Sequence, residues 1–148
     1  MGTLISINIS NGGVPKRPLG SCEITKKGLE GDRQRDLRYQ DRAVCLFSKD
    51  LISALQAEGH PIAPGTIGEN LTLHGIPWAE MIPGAKLDIG EVRVELTAYA
   101  APCNNIAGSF QRRHIGRVSQ EANPGWSRLY ARVLKDGTVR VGDRVARC

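Results

Sequence analysis

The chain is written in short apolar alternations that are repeatedly cut by glycine and proline, and this punctuation constrains the fold more than any other feature. Ile5, Ile7 and Ile9 share one face of Thr3 to Ile9, which breaks at Asn11-Gly12-Gly13. Val92, Val94, Leu96 and Ala98 alternate with Arg93, Glu95 and Thr97. Alternation with a period of two is the mark of a strand with one buried face. Further strands are predicted around Cys22 to Ile24, over Ala43 to Phe47, Leu71 to Leu73, Lys86 to Ile89 and Leu129 to Leu134, and at Val139, Val141 and Val145, where the chain bends at Gly142-Asp143. Gly90-Glu91 and Lys135-Asp136-Gly137-Thr138 read as hairpin turns. The polar run Arg33 to Asp41 has no period.

One segment departs from the strand pattern. Ser48 is placed to cap a helix over Lys49 to Glu58, with Asp50 in its first turn and Leu51, Ile52 and Leu55 facing inward, before Gly59 and Pro61 stop it. Many short strands, frequent turns and one helix predict a mainly β fold, a barrel or sandwich with minor helical elements. At 148 residues one domain, 1–148, is expected.

Composition narrows the classes of partner. Lys and Arg number 20 against 15 Asp and Glu, a net charge of +5, which favours an anionic partner. Only 5% of residues are aromatic, and they do not interleave with the arginines, so nucleic acid is disfavoured. No apolar run is long enough for a membrane span and the N-terminus lacks the pattern of a secretory signal, so a cytoplasmic protein is expected. Cys22, Cys45, Cys103 and Cys148 are scattered without a Cys-x-x-Cys pair, which points to thiols rather than a zinc site or disulfides.

Cys103 stands out by position. The strand ending near Ala98 is followed by Pro102, which donates no backbone hydrogen bond and so stops a ladder, leaving a thiol on a rigid corner. A lone cysteine is most often a small core hydrophobe, so its exposure is the deciding observation. Downstream, Asn104 to Gln120 carries Arg112, Arg113, His114 and Arg117 and no acid.

Six ordered segments together resemble the landmarks of the MOSC domain, the family named after the C-terminal domain of molybdenum cofactor sulfurase. They are Gly28-Leu29-Glu30-Gly31-Asp32, Arg42-Ala43-Val44, Pro64 to Thr72, Pro102-Cys103, Ala131 to Leu134, and Gly137 to Asp143. The resemblance implies a closed, mostly antiparallel β-barrel. It implies that Cys103, the catalytic candidate, either ligates molybdenum in a molybdopterin-type cofactor or accepts persulfide sulfur. In the first role the chain would end a two-electron reduction of N-hydroxylated compounds, fed by an electron-donating reductase. In the second, a pyridoxal-phosphate-dependent cysteine desulfurase would be its partner.

Candidate cofactor-binding residues follow. Asn70, in the loop Gly68-Glu69-Asn70, carries the amide needed to read a pterin edge. Asp32 and Asp143 each follow a glycine, as in the family. Arg112, Arg113, Arg128 and Arg132 are candidates to pair with a phosphate, and a cationic neighbour would also favour the Cys103 thiolate. The chain departs from the family at Arg38-Tyr39-Gln40-Asp41-Arg42, where many members carry His-Gly-Gly, and at Gly84-Ala85, where the family has Gly-Asp. No role for that histidine carries over.

Overall fold

The computed structural model describes residues 1–33 and 37–148; residues 34–36, within the polar run, lie outside the described residues. In chain order the strands are β1 (Gly2–Ile9), β2 (Arg17–Leu19), β3 (Ser21–Thr25), β4 (Gly28–Leu29), β5 (Val44–Ser48), β6 (Leu71–His74), β7 (Lys86–Ile89), β8 (Val92–Tyr99), β9 (Leu129–Lys135), β10 (Gly137–Arg140) and β11 (Arg144–Arg147), with the helix α1 (Lys49–Ala57) following β5. The main sheet runs β11-β7-β8-β9-β5-β6-β1-β2, and β11 also pairs with β1. That extra pairing closes seven strands into a barrel and leaves β2 as an appendage to β1. Closure removes the open edges that a flat sheet of this width would expose.

In β7, β8 and β9 the inward residues are the apolar members of each alternation. In β1 a register shift between Leu4 and Ser6 breaks the predicted Ile5-Ile7-Ile9 face, so that Leu4, Ile7 and Ile9 are buried and Ile5 is not. Val92, Val94 and Leu96 of β8 are buried, as are Leu87 and Ile89 of β7 and Leu129, Ala131 and Val133 of β9. The predicted hairpin about Gly90-Glu91 joins β7 and β8 in antiparallel register, Ile89 opposite Val92. β5 differs from the others because all five of its residues are buried. Its parallel pairing with β6 is bridged by α1, whose cap is the predicted one: the Ser48 hydroxyl accepts from the Leu51 N–H at 3.1 Å.

Two readings of the C-terminal region change. Lys135 to Thr138 is not a hairpin, because β10 leaves the barrel and pairs with β3 in a separate three-stranded sheet, β10-β3-β4. Gly137 is needed there for closeness and not for a turn: a Cβ on it would lie 2.7 Å from the Cβ of Glu91. Val141 belongs to no strand and is exposed, whereas Val139 and Val145 are buried in β10 and β11. Asn104 to Val118 forms three short 3-10 segments, which no periodicity announced.

Candidate functional site

β8 ends at Tyr99, and one further ladder bond, from the Ala100 N–H to the Arg128 carbonyl at 2.9 Å, carries the chain to its corner. Cys103 follows in extended backbone and its carbonyl accepts from the Ile106 N–H at 3.2 Å, opening the first 3-10 turn. The thiol is exposed. It lines a cleft of about 140 Å³ together with Arg128, Cys45, Tyr130, Gly68 and Val14. Packing in the core is therefore not what explains Cys103.

Arg128 builds this cleft. Its residue is only 7% exposed, and its guanidinium donates to the Ile67 carbonyl at 2.9 Å and to the Ala101 carbonyl at 3.3 Å. One side chain thus ties the loop before Gly68 to the corner that carries Cys103. Its Nε has no hydrogen-bond partner, and a buried N–H left unpaired is costly. Gly68 has φ +86, which other residues rarely adopt, and a Cβ on it would crowd Val14 Cγ1 at 3.1 Å, so a larger residue there would strain the loop and press on the opposite wall.

Beneath the cleft lies a connected layer of buried polar groups. Asn70 does not line the cleft; its Oδ1 accepts from the Cys45 N–H at 3.0 Å, and its Nδ2 donates to the Asn8 carbonyl and to Asp32 at 3.2 and 3.0 Å. Asp32 in turn forms a buried ion pair with Lys16, Nζ lying 2.9 Å from both carboxylate oxygens, and accepts from the Ser10 N–H. Glu69 is fully buried, with one oxygen accepting from the Gly65 N–H and the Thr72 hydroxyl and the other unpartnered. Burial pushes its pKa up, against the hydrogen bonds and the Arg128 charge. Burial likewise pushes the Cys45 thiol to about 11, so Cys45 is protonated at neutral pH.

The remaining candidates lie elsewhere. Arg112 and Arg113 line a different cavity with His60 and His114. Arg132 is half exposed on β9, 3.5 Å from Glu95. Asp143 accepts from the Arg140 N–H at 2.8 Å in the turn before β11. That turn packs on Gly90, at the end of β8 opposite Cys103, and a strand of 8 residues is roughly 25 Å long. Cys45, Tyr130 and Lys16 were not singled out from the sequence: the apolar run of β5 gave no facing, and Lys16 sits in a loop without a period.

Comparisons with known proteins agree with this architecture. The YflK protein of Bacillus subtilis (strain 168) is 28% identical over 135 residues, 88% of this chain and 60% of its own length. The chain therefore spans about three fifths of that curated relative. The crystal structure of YiiM from Geobacillus stearothermophilus superposes with a TM-score of 0.74 at 22% identity, covering 100% of this chain and 75% of that one. The YuaD protein of Bacillus subtilis gives 0.78 at 15% identity, with 98% and 94% covered. The family model described as MOSC domain matches residues 22–146, from β3 to β11, and takes in the Cys103 corner, Arg128, and Asp32, Glu69 and Asn70 of the buried layer, whereas Asn8, Ser10 and Lys16 precede it. With that match across most of its length and a closed barrel to go with it, the chain belongs to the MOSC domain family.

Proposed function

We propose that the chain binds a molybdenum cofactor of the molybdopterin type, with the Cys103 thiolate as metal ligand, and acts as the terminal component in the two-electron reduction of N-hydroxylated compounds. The family is linked to that cofactor. The observation that carries the reading is the exposed thiol of Cys103 on a rigid corner, in a cleft whose two walls are joined by Arg128.

The donor set fits. Among the described residues no three His, Cys, Asp or Glu are grouped to hold a metal ion, so Cys103 would be a single soft donor to a metal whose other ligands come with the cofactor. The cleft alone is too small for a pterin. It shares Val14, Asn105 and Ile106 with a neighbouring groove of about 320 Å³ that runs past Pro61 and Thr66, which gives the body of such a group room beyond the thiol. Arg128 supplies positive charge at the cleft wall. Asn70 and Asp32 act from below by fixing β5 and the loop through Gly13 and Val14, and they are positioning residues in this reading.

Bound there, the cofactor would supply two-electron exchange. The reaction balances as N–O cleavage of a hydroxylamine to the amine and water, consuming two electrons and two protons, with the electrons drawn from a partner reductase. The competing reading uses the same exposed thiol as a sulfur carrier loaded by a cysteine desulfurase. Purification from cells that make the cofactor separates them. Molybdenum and pterin fluorescence are expected with the wild-type chain and are expected to be lost in Cys103→Ser. Absence of both, with a cyanide-labile sulfur on Cys103, would replace the reductase by the carrier.

A further inference from the structure

A concavity larger than the cleft at Cys103 lies elsewhere. It is a cavity of about 670 Å³ between the carboxyl end of α1 and the second 3-10 turn, Gln111–Arg113. Its charge is one-sided. Glu58 is the acid on its wall, and Arg117 neutralises it through two hydrogen bonds, at 2.9 and 2.6 Å, while stacking 4.0 Å over the Trp126 ring. The helix terminus adds only about half a negative charge. Arg112 and Arg113 have no side-chain hydrogen bond or ion pair among the described residues, and both are exposed on the cavity wall.

Their backbone makes the arrangement more telling. Arg112 and Arg113 lie at φ 54 and φ 57, consecutive non-glycine residues in the left-handed region. Such a conformation costs free energy at each residue, and the two consecutive arginines put two like charges on the wall of one cavity. The turn is held in place from behind: the Gln111 N–H donates to His60 Nδ1 at 3.0 Å, and the Gln111 side chain packs on Gly59, where a Cβ would collide with it. With its Nδ1 accepting, His60 is fixed in the tautomer that directs Nε2 toward Glu58, 3.5 Å away.

The geometry points to a second anion site, separate from the Cys103 cleft, in which Arg112 and Arg113 bind a phosphoryl oxyanion carrying at least two negative charges. Two planar guanidiniums on a fixed concave wall suit the three oxygens of a phosphoryl group, and a dianion relieves the repulsion between them. His114, on the same wall, is a further donor. This inference does not depend on the cofactor reading, since it uses none of the residues around Cys103.

Inorganic pyrophosphate is the probe, titrated calorimetrically into the full chain. Saturable binding is expected for the wild type and for Cys103→Ser alike. Glycine adopts positive φ without strain, so Arg112→Gly/Arg113→Gly is expected to melt no lower than the wild type while its affinity falls by at least about tenfold. Arg112→Lys/Arg113→Lys keeps the charge without the fork and is expected to lie between the two. The site is overturned if the wild type shows no saturable binding, or if the glycine pair binds as well as the wild type. Loss of binding in Cys103→Ser would also overturn it, because the anion would then belong to the cleft.

Discussion

Lys16 and Asp32 are 4% and 5% exposed, and between them they hold together three pieces of chain that sequence distance keeps apart. The Lys16 N–H donates to the Gly65 carbonyl at 2.9 Å, its Nζ reaches both oxygens of Asp32, and Asp32 also takes the Ser10 N–H and the Asn70 amide. Removing the ammonium alone strands a buried carboxylate. Lys16→Met is therefore expected to cost about 3–5 kcal/mol in urea unfolding, and a loss below about 1 kcal/mol would show the pair to be dispensable. This layer also marks what the sequence could and could not disclose at the level of single residues. Cys103 was identifiable because proline and a strand end put it on a corner. Asn70 was identifiable as special but not in its direction: an amide that can read a ligand edge can equally cross-link β1, β5 and the loop carrying Asp32, and only tertiary packing decides. Lys16 gave no signal, since a lysine in a loop is by default solvated.

At the scale of elements, the period-two runs located β7 to β9 because each presents one face to a common core, while β5, buried on both faces, showed as a continuous apolar run. The errors came where an element answers to a neighbour and not to its own pattern. Lys135-Asp136-Gly137-Thr138 has the residues of a hairpin, yet β10 crosses to β3, with Val139 opposite Cys22. The glycine is retained because the β7–β8 turn presses on it: Glu91 Cβ and backbone atoms would lie 2.7 and 3.2 Å from a Cβ at Gly137, and the Thr138 N–H donates to Glu91 at 3.0 Å. Gly137→Ala is thus expected to destabilise by about 1–3 kcal/mol through overpacking, although alanine ordinarily suits a strand better than glycine. Equal or greater stability in chemical denaturation would mean that the two turns part without cost. The same dependence on neighbours explains the three 3-10 segments after Cys103, whose short turns are tied to Glu58 and His60 just beyond α1 and to the loop at Thr66 rather than set by an apolar period.

Across the whole molecule, two opposed sets of ionisable groups should shape the response to pH. Exposed Glu58 and Asp88 are held below the usual carboxylate range by their hydrogen bonds to Arg117 and Arg93, so the stability they add is present above their unfolded pKa and lost as pH falls through the folded one. Because both are exposed, solvent screening keeps this part small. Glu69 and Cys45 behave in the opposite sense. Burial in the barrel wall raises both, so the stability linked to each is complete below its unfolded pKa and declines as pH rises toward the folded value, which for Cys45 is about 11. The Glu69 decline begins in the ordinary carboxylate range and the Cys45 decline above about pH 9. Glu69→Gln keeps the size of the side chain and cannot ionise, and its Oε1 can still accept from Gly65 and Thr72. Unfolding free energies measured from acid to neutral pH are accordingly expected to converge at low pH, where Glu69 is itself neutral, and to separate in favour of Glu69→Gln as pH rises. A gap that instead favours the wild type at neutral pH would mean that the Arg128 charge outweighs burial, and that Glu69 stands as a carboxylate counter-ion behind the Cys103 cleft.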